Sequence, residues 1–325
     1  MLFTDSYQAL RRGERRLAIR YAMLSVLTLT LLGLPVGFVL LRRFEAAVTF
    51  HPDRAPLGGT WAAPAGAEEV WFETADGVRL HGWFFGARVR RTAAGGGADD
   101  EAGGAGDEAG RVSRSVQGGA TVVYFHGNGG NISYAAWVGE ALASRGFDVL
   151  LFDYRGYGRS GGEVQGEHGL YVDAEAAYRY VVGARGVNSS RVVLYGQSLG
   201  TAAAAEVASR EGCGALVLES GLSSASDMAA TILPWLPRAA HKLAKYRLDT
   251  ASKLPRIACP VFVAHGDRDQ IIPVEQGHKL YAAAREPKRL HVVAGAGHND
   301  LTVVGGEPYL DALAGFVGDS LGAGR

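Results

Sequence analysis

The chain has 325 residues, 47% of them hydrophobic, with 33 basic and 33 acidic side chains. Such a chain can bury one large α/β core or two small ones, and its balanced charge leaves no electrostatic footprint for nucleic acid. Two cysteines cannot build a disulfide framework, and without H-E-x-x-H, paired C-x-x-C or an EF-hand loop neither a metal nor another cofactor is expected.

Residues 1–20 are polar and rich in arginine (Arg11, Arg12, Arg15, Arg16, Arg20) and are expected to form a cytoplasmic N-terminal segment. Residues 21–41 carry no charge, a run of 21 residues, long enough as a helix to cross a hydrocarbon core of about 30 Å. The reading is a single transmembrane helix that makes the membrane a partner of the protein. The run exceeds the apolar region of a cleaved signal peptide. Five arginines precede it and Arg42, Arg43 and Arg54 follow, a bias that puts the main domain outside the cytoplasm.

Residues 42–66 contain prolines and glycines and read as an extended juxtamembrane lead, with the main domain over 67–325. Glu69–Thr74 and Val78–Phe85 read as strands joined around Asp76-Gly77, a hairpin signal. Residues 93–119 are Gly- and Ala-rich, with acids at Asp99, Asp100, Glu101, Asp107 and Glu108; few apolar groups offset ordering entropy, so a disordered insertion is expected.

Strands and helices then alternate. Thr121–Phe125 is a predicted strand, Ile132–Ser144 a helix, Phe147–Asp153 a strand and Glu167–Val182 a helix. Strands at Val192–Tyr195 and Ala215–Glu219 flank an alanine-rich helix, and an excursion over 220–255 reads as a small cap. A strand at Val261–His265, a helix over Val274–Ala284, a strand at Leu290–Ala294 and a helix over Pro308–Leu321 complete the chain. Repeated βαβ order predicts a mostly parallel sheet with helices on both faces, and active groups at the C-terminal strand ends.

The chemistry gathers at Arg191–Ala208, where an apolar strand runs directly into Gly196-Gln197-Ser198-Leu199-Gly200 and then into strong helix formers. Strand, sharp turn and helix would push the Ser198 hydroxyl out on a strained elbow, with glycines where side chains would collide. Gly158-Arg159-Ser160-Gly161-Gly162 fits the same G-x-S-x-G pattern, but the residues after it cannot open a helix. Gly156 to Gly161 also fits a dinucleotide G-x-G-x-x-G, which requires a helix opening within the motif. A serine nucleophile needs a base and an orienting carboxylate, and the loops beginning at His265-Gly266-Asp267-Arg268-Asp269 and Gly295-Ala296-Gly297-His298 offer both.

Together with YFHGNGGNIS (124–133), FDYRGYGRSGG (152–162), GLYVDAEAA (169–177), LYGQSLGT (194–201), CPVFVAHGDRDQIIP (259–273) and GAGHND (295–300), these motifs make the chain resemble an α/β-hydrolase. It resembles in particular the N-terminally anchored group that includes lysophospholipases, monoacylglycerol lipases and depalmitoylases. The resemblance implies Ser198 as nucleophile, Asp269 as acid and His298 as base, with the backbone amides of Asn128 and Leu199 as oxyanion donors and Gly129 as the alternative to Asn128. Asp267 and Glu219 compete for the acid, the H-G-x-x-D pattern preferring Asp269, and His291 competes for the base; His126 is expected to be structural, and Arg155 and Asp173 to be structural partners. Met228, Ile232, Leu233, Trp235 and Leu236 would line an acyl pocket, touch the bilayer or simply pack. Cys213 and Cys259 are either buried thiols or, in an exported domain, a bridge.

The expected function is a membrane-anchored serine hydrolase acting on a lipid-like acyl ester or thioester. The alternatives are a non-catalytic binding protein of the same fold and a serine peptidase.

Overall fold

The computed structural model describes residues 49–88, 119–235, 237, 241 and 245–322, together with Met23, Gly33, Val36, Gly37 and Val39. Those five isolated positions are helical and exposed, and the rest of the 21–41 run lies outside the described residues, as do residues 93–118 of the expected insertion. Among the described residues no helix is long and apolar enough to cross a membrane.

A compact unit begins at Phe50. Its strands are β1 (His51–Pro52), β2 (Ala67–Glu73), β3 (Arg79–Phe85), β4 (Thr121–Phe125), β5 (Gly129–Gly130), β6 (Asp148–Phe152), β7 (Val192–Gln197), β8 (Ala215–Glu219), β9 (Val261–Gly266) and β10 (Lys288–Val293). Its helices are α1 (Ala136–Ala143), α2 (Gly166–Arg179), α3 (Gly200–Arg210), α4 (Ala225–Ile232), α5 (Val274–Ala283) and α6 (Leu301–Gly322). Eight strands form one sheet in the order β10-β9-β8-β7-β4-β6-β3-β2, parallel throughout except where β3 meets β2 and β6. The hairpin closes with Glu73 opposite Arg79.

Every residue of β4, β6 and β8 is buried, which is why these strands read as continuous apolar runs rather than alternations. One face of the sheet, carrying Val122, Tyr124, Leu151, Val193, Val217 and Phe262, packs under α1 and α6. The alternate residues face the other helices: α3 lies on β7 and β8, and Gly277 of α5 sits against His265. The small side chains of Ala202–Ala205, all fully buried, let α3 approach the sheet closely.

Three elements depart from the sequence reading. A 3-10 turn at Ile132–Tyr134 precedes α1, because Asn131 turns its side chain onto the Ser133 amide and caps the start. α6 begins seven residues before Pro308, broken at Gly306, whose φ of 53° only glycine adopts at little cost. The extended lead is the third: residues 50–57 belong to the domain rather than preceding it, so its boundary moves from 67 to Phe50. Sequence could not show this, because a two-residue strand has no period and β1 is paired with residues far along the chain, Gly129 and Gly130.

Arg155 and Asp173 are a buried clamp. The Arg155 amide and Nε donate to Asp173 at 2.7 and 2.8 Å, and its two terminal nitrogens grip Asp76 at 2.7 and 2.9 Å across the hairpin turn. Asp173 is fully buried, so Arg155→Ala leaves a carboxylate without its counter-charge and is expected to lower unfolding free energy by about 3–5 kcal/mol in urea titrations.

Candidate active site

At the end of β7 the backbone does what the G-x-S-x-G spacing requires. Ser198 has a φ of 53°, one of the few non-glycine residues in the left-handed region, a conformation that costs on the order of 1–3 kcal/mol and persists only where surroundings enforce it. They do so here: the Ser198 amide donates to Glu219 O at 2.9 Å, and its carbonyl accepts from the Thr201 amide at 3.0 Å and hydroxyl at 2.6 Å. A Cβ on Gly196 would lie 2.5 Å from Gly200 O, and one on Gly200 only 1.9 Å from Phe125 O. Both positions therefore exclude any side chain.

The loops after β9 and β10 bring the other two groups to this elbow. His298 Nε2 is 2.9 Å from Ser198 Oγ, and His298 Nδ1 is 2.7 Å from Asp269 Oδ2. Asp269 is held by four donors. Its Oδ1 accepts from the amides of Ile271 and Ile272 at 2.9 and 2.8 Å, while Oδ2 also faces His265 Nε2 at 3.2 Å. Burial opposes its ionised form, yet the hydrogen bonds from His265 and His298 outweigh that and keep the carboxyl well below the usual carboxylate range. His265, fully buried and bonded to Ile272 O at 2.8 Å, is a supporting residue that sequence reading missed; the only signal was its place in the strand-end H-G-D-R-D run.

The competitors have other partners. Ser160 is buried with its hydroxyl donating to Asp153 O at 2.6 Å and accepting from the His81 amide at 2.9 Å, a turn-holding role. No helix opens in the Gly156–Gly161 stretch; α2 starts only at Gly166, so the dinucleotide geometry is absent. Asp267 caps the β10 loop through the Gly295 amide at 2.6 Å. His291 stacks on Phe262 within β10. His126 is buried with Nδ1 2.7 Å from Gly127 O, and burial pushes its pKa below 6.5.

Glu219 does not reach His298 by hydrogen bond. Its Oε2 accepts from the hydroxyls of Tyr195 and Tyr309, the latter at 2.5 Å, and burial raises its carboxyl above the ordinary 4.5 despite these bonds. A raised folded pKa means that the native state holds the proton where the unfolded chain has released it. Stability from this group is therefore complete below pH 4.5 and falls as pH rises toward the folded value. Glu219→Gln keeps both phenol bonds and removes the titration. Its melting temperature is expected to match wild type near pH 4 and to exceed it once pH rises above 4.5, the difference growing up to the folded pKa; a difference independent of pH contradicts the assignment.

Over Ser198 opens a cavity of about 610 Å3, lined by His51, Asp53, Tyr124, Asn128, Trp137 and Ile271 among others, with no lysine or arginine among its described walls. The loop after β4 lies against the elbow, since a Cβ on Gly127 would be 3.4 Å from Ser198 Cβ. The amides of Asn128 and Leu199 donate to no described protein acceptor, so both are available to an incoming oxygen. Of the three readings open for the apolar residues of the 220–255 region, lining this cavity is not the one met: Met228, Ile232, Leu233 and Trp235 are not among its walls, Trp235 is 76% exposed, and Leu236 lies outside the described residues. An amphipathic run in a predicted cap carries no information about which way its apolar side points. Cys213 and Cys259, at the entries to neighbouring strands, are thiols with sulfurs 2.7 Å apart.

A family model described as alpha/beta hydrolase fold matches residues 120–254. An uncharacterized protein of Mycobacterium tuberculosis is 35% identical over 284 residues, 86% of this chain and 90% of that protein. An alpha/beta hydrolase domain-containing protein of Caenorhabditis elegans is 34% identical over 203 residues, 61% of this chain and 57% of its own. Among solved structures, a Pyrococcus furiosus esterase superposes with a TM-score of 0.62 at 21% identity, covering 84% of this chain and 100% of that one. The sheet order, the matching family model and a relative shared over nine-tenths of its length agree, and the chain belongs to the α/β-hydrolase superfamily.

Proposed function

We propose that the protein is a serine hydrolase cleaving carboxylic esters or thioesters of lipid-like substrates through an acyl-enzyme. The observation that carries this reading is the unbroken hydrogen-bond chain from Ser198 Oγ through His298 to Asp269. A serine hydroxyl is a poor nucleophile near neutral pH unless a base takes its proton as it attacks. His298 Nε2 accepts that proton, and the imidazolium that forms is stabilised by Asp269, which stays ionised.

Attack places negative charge on the former carbonyl oxygen, which the amides of Asn128 and Leu199 receive; Leu199 opens α3, where unpaired N–H groups and the helix dipole favour an anion. Collapse expels the alcohol or thiol with the proton from His298 and leaves the acyl group on Ser198. Water, deprotonated by the same imidazole, then releases the acid. The apolar walls Tyr124, Trp137 and Ile271 suit an acyl chain.

The uncharged run 21–41 supports a further part of the proposal, a single membrane anchor with the catalytic domain outside the cytoplasm. Protease cleavage of the 93–119 stretch in intact cells tests that orientation; protection of the stretch contradicts it. For the chemistry, incubation with a fluorophosphonate followed by peptide mapping is expected to find the adduct on the peptide carrying Ser198. Labelling on the Ser160 peptide, or on none, removes the assignment.

A further inference from the structure

The loop that carries the Asn128 amide is Gly127-Asn128-Gly129-Gly130-Asn131. Three glycines in five residues give it more conformational freedom to lose than other sequences have, and an oxyanion donor acts only if it is held in place beforehand. No long strand or helix of the α/β core contains these residues. Their order comes from the segment just before the core. β1 pairs in parallel with β5, the His51 amide donates to Asn128 O at 3.2 Å, and the Asp53 amide donates to Gly130 O at 3.3 Å. His51 Nδ1 lies 3.2 Å from Asn128 Oδ1. In return the Asn131 side chain, 2% exposed, clasps the carbonyls of Asp53 and Ala55 at 3.1 and 2.7 Å.

The segment is itself fixed at its start: Phe50 is buried edge-on against Tyr246 at 5.2 Å. Its far end is tied by the Leu57 amide to Ser133 Oγ at 2.7 Å. A mere surface covering would have no reason to enter the cavity, yet His51 and Asp53 line the same cavity as Ser198.

We propose that Phe50–Leu57 is a positioning strap of the hydrolytic site, which holds the 127–131 loop so that the Asn128 amide is set for the developing oxyanion. The proposal rests on the serine-hydrolase reading above. It makes the first residues of the compact unit a working part of the site, so that a segment expected to be only an extended lead also sets transition-state stabilisation. His51 and Asn131 are its positioning residues.

The test uses the full chain carrying His51→Ala, His51→Asn, Asn131→Ala or Ser198→Ala, with a p-nitrophenyl butyrate assay and the rate of phosphonylation by a fluorophosphonate. His51→Ala is expected to lower kcat about tenfold and Asn131→Ala about 10- to 100-fold, with KM within about twofold, because the loss falls on the transition state. Phosphonylation, which passes through a similar oxyanion, slows in parallel. His51→Asn, which keeps a donor toward Asn128 Oδ1, recovers most of the rate.

A role confined to folding would lower the melting temperature without this split or this rescue. His51 is exposed, so its two variants decide the matter even where Asn131→Ala does not fold. Wild-type kcat in His51→Ala, or an effect confined to KM, beside an inactive Ser198→Ala overturns the strap and leaves the hydrolase reading standing. Turnover by Ser198→Ala at the wild-type rate overturns both.

Discussion

Ser198→Ala is expected to lower kcat for a short p-nitrophenyl ester on the order of 10⁵-fold or more, because the remaining groups act only through the nucleophile. With the hydroxyl gone, His298 has no proton to take and the Asn128 and Leu199 amides can only polarise a carbonyl that water must attack unaided. The backbone bonds that enforce the φ of 53° at Ser198 do not involve its side-chain oxygen, and alanine is no better suited to that conformation than serine. Stability should thus change little, and a far-ultraviolet spectrum and melting temperature like those of wild type, beside absent turnover, separate chemistry from misfolding. Turnover within tenfold of wild type in a folded Ser198→Ala protein would remove the proposed mechanism.

Asp269→Asn has the next largest expected effect, on the order of 10⁴-fold in kcat. The carboxylate does two things at once: Oδ2 accepts from His298 Nδ1 and so keeps Nε2 free to receive the Ser198 proton, and its charge stabilises the imidazolium. An amide can present its NH2 group to His298, which forces the opposite tautomer and leaves Nε2 protonated against the hydroxyl. Asp267→Asn, two residues away, is the control. Asp267 holds the Gly295 amide at 2.6 Å, a bond an amide oxygen can still accept, so kcat is expected to stay within about threefold of wild type. Steady-state kinetics on the two variants decide between the carboxylates, and a larger loss for Asp267→Asn reverses the assignment.

The pair shows where local pattern stops. Both aspartates lie in one turn after an apolar strand; the H-G-x-x-D pattern favours Asp269, but it does not show that carboxylate turning toward a histidine about thirty positions later. The amides of Ile271 and Ile272 on Asp269 Oδ1 decide it, and His265 reinforces the choice from within β9. Likewise, two G-x-S-x-G stretches follow two apolar strands, and the helix after Ser198 was the legible difference between them. The fate of Ser160, bonded to the His81 amide from β3, was not legible. The apolar residues Met228, Ile232, Leu233 and Trp235 are not among the cavity walls, which include Trp137 of α1 and Ile271 of the loop after β9.

What the sequence determined by itself was the local and repetitive part of this protein. Buried parallel strands must be continuously apolar, helices must repeat their apolar face, and a nucleophile elbow admits only glycine two positions either side of its serine, so the βαβ order and Ser198 could be read from neighbouring residues. What only the tertiary structure decided was pairing between distant segments: the contacts that seat Asp269 against His298, the inclusion of Phe50–Leu57 in the domain, and the walls of the cavity. Those outcomes depend on single hydrogen bonds between residues tens of positions apart, and such bonds leave no period or composition along the chain from which they could be read.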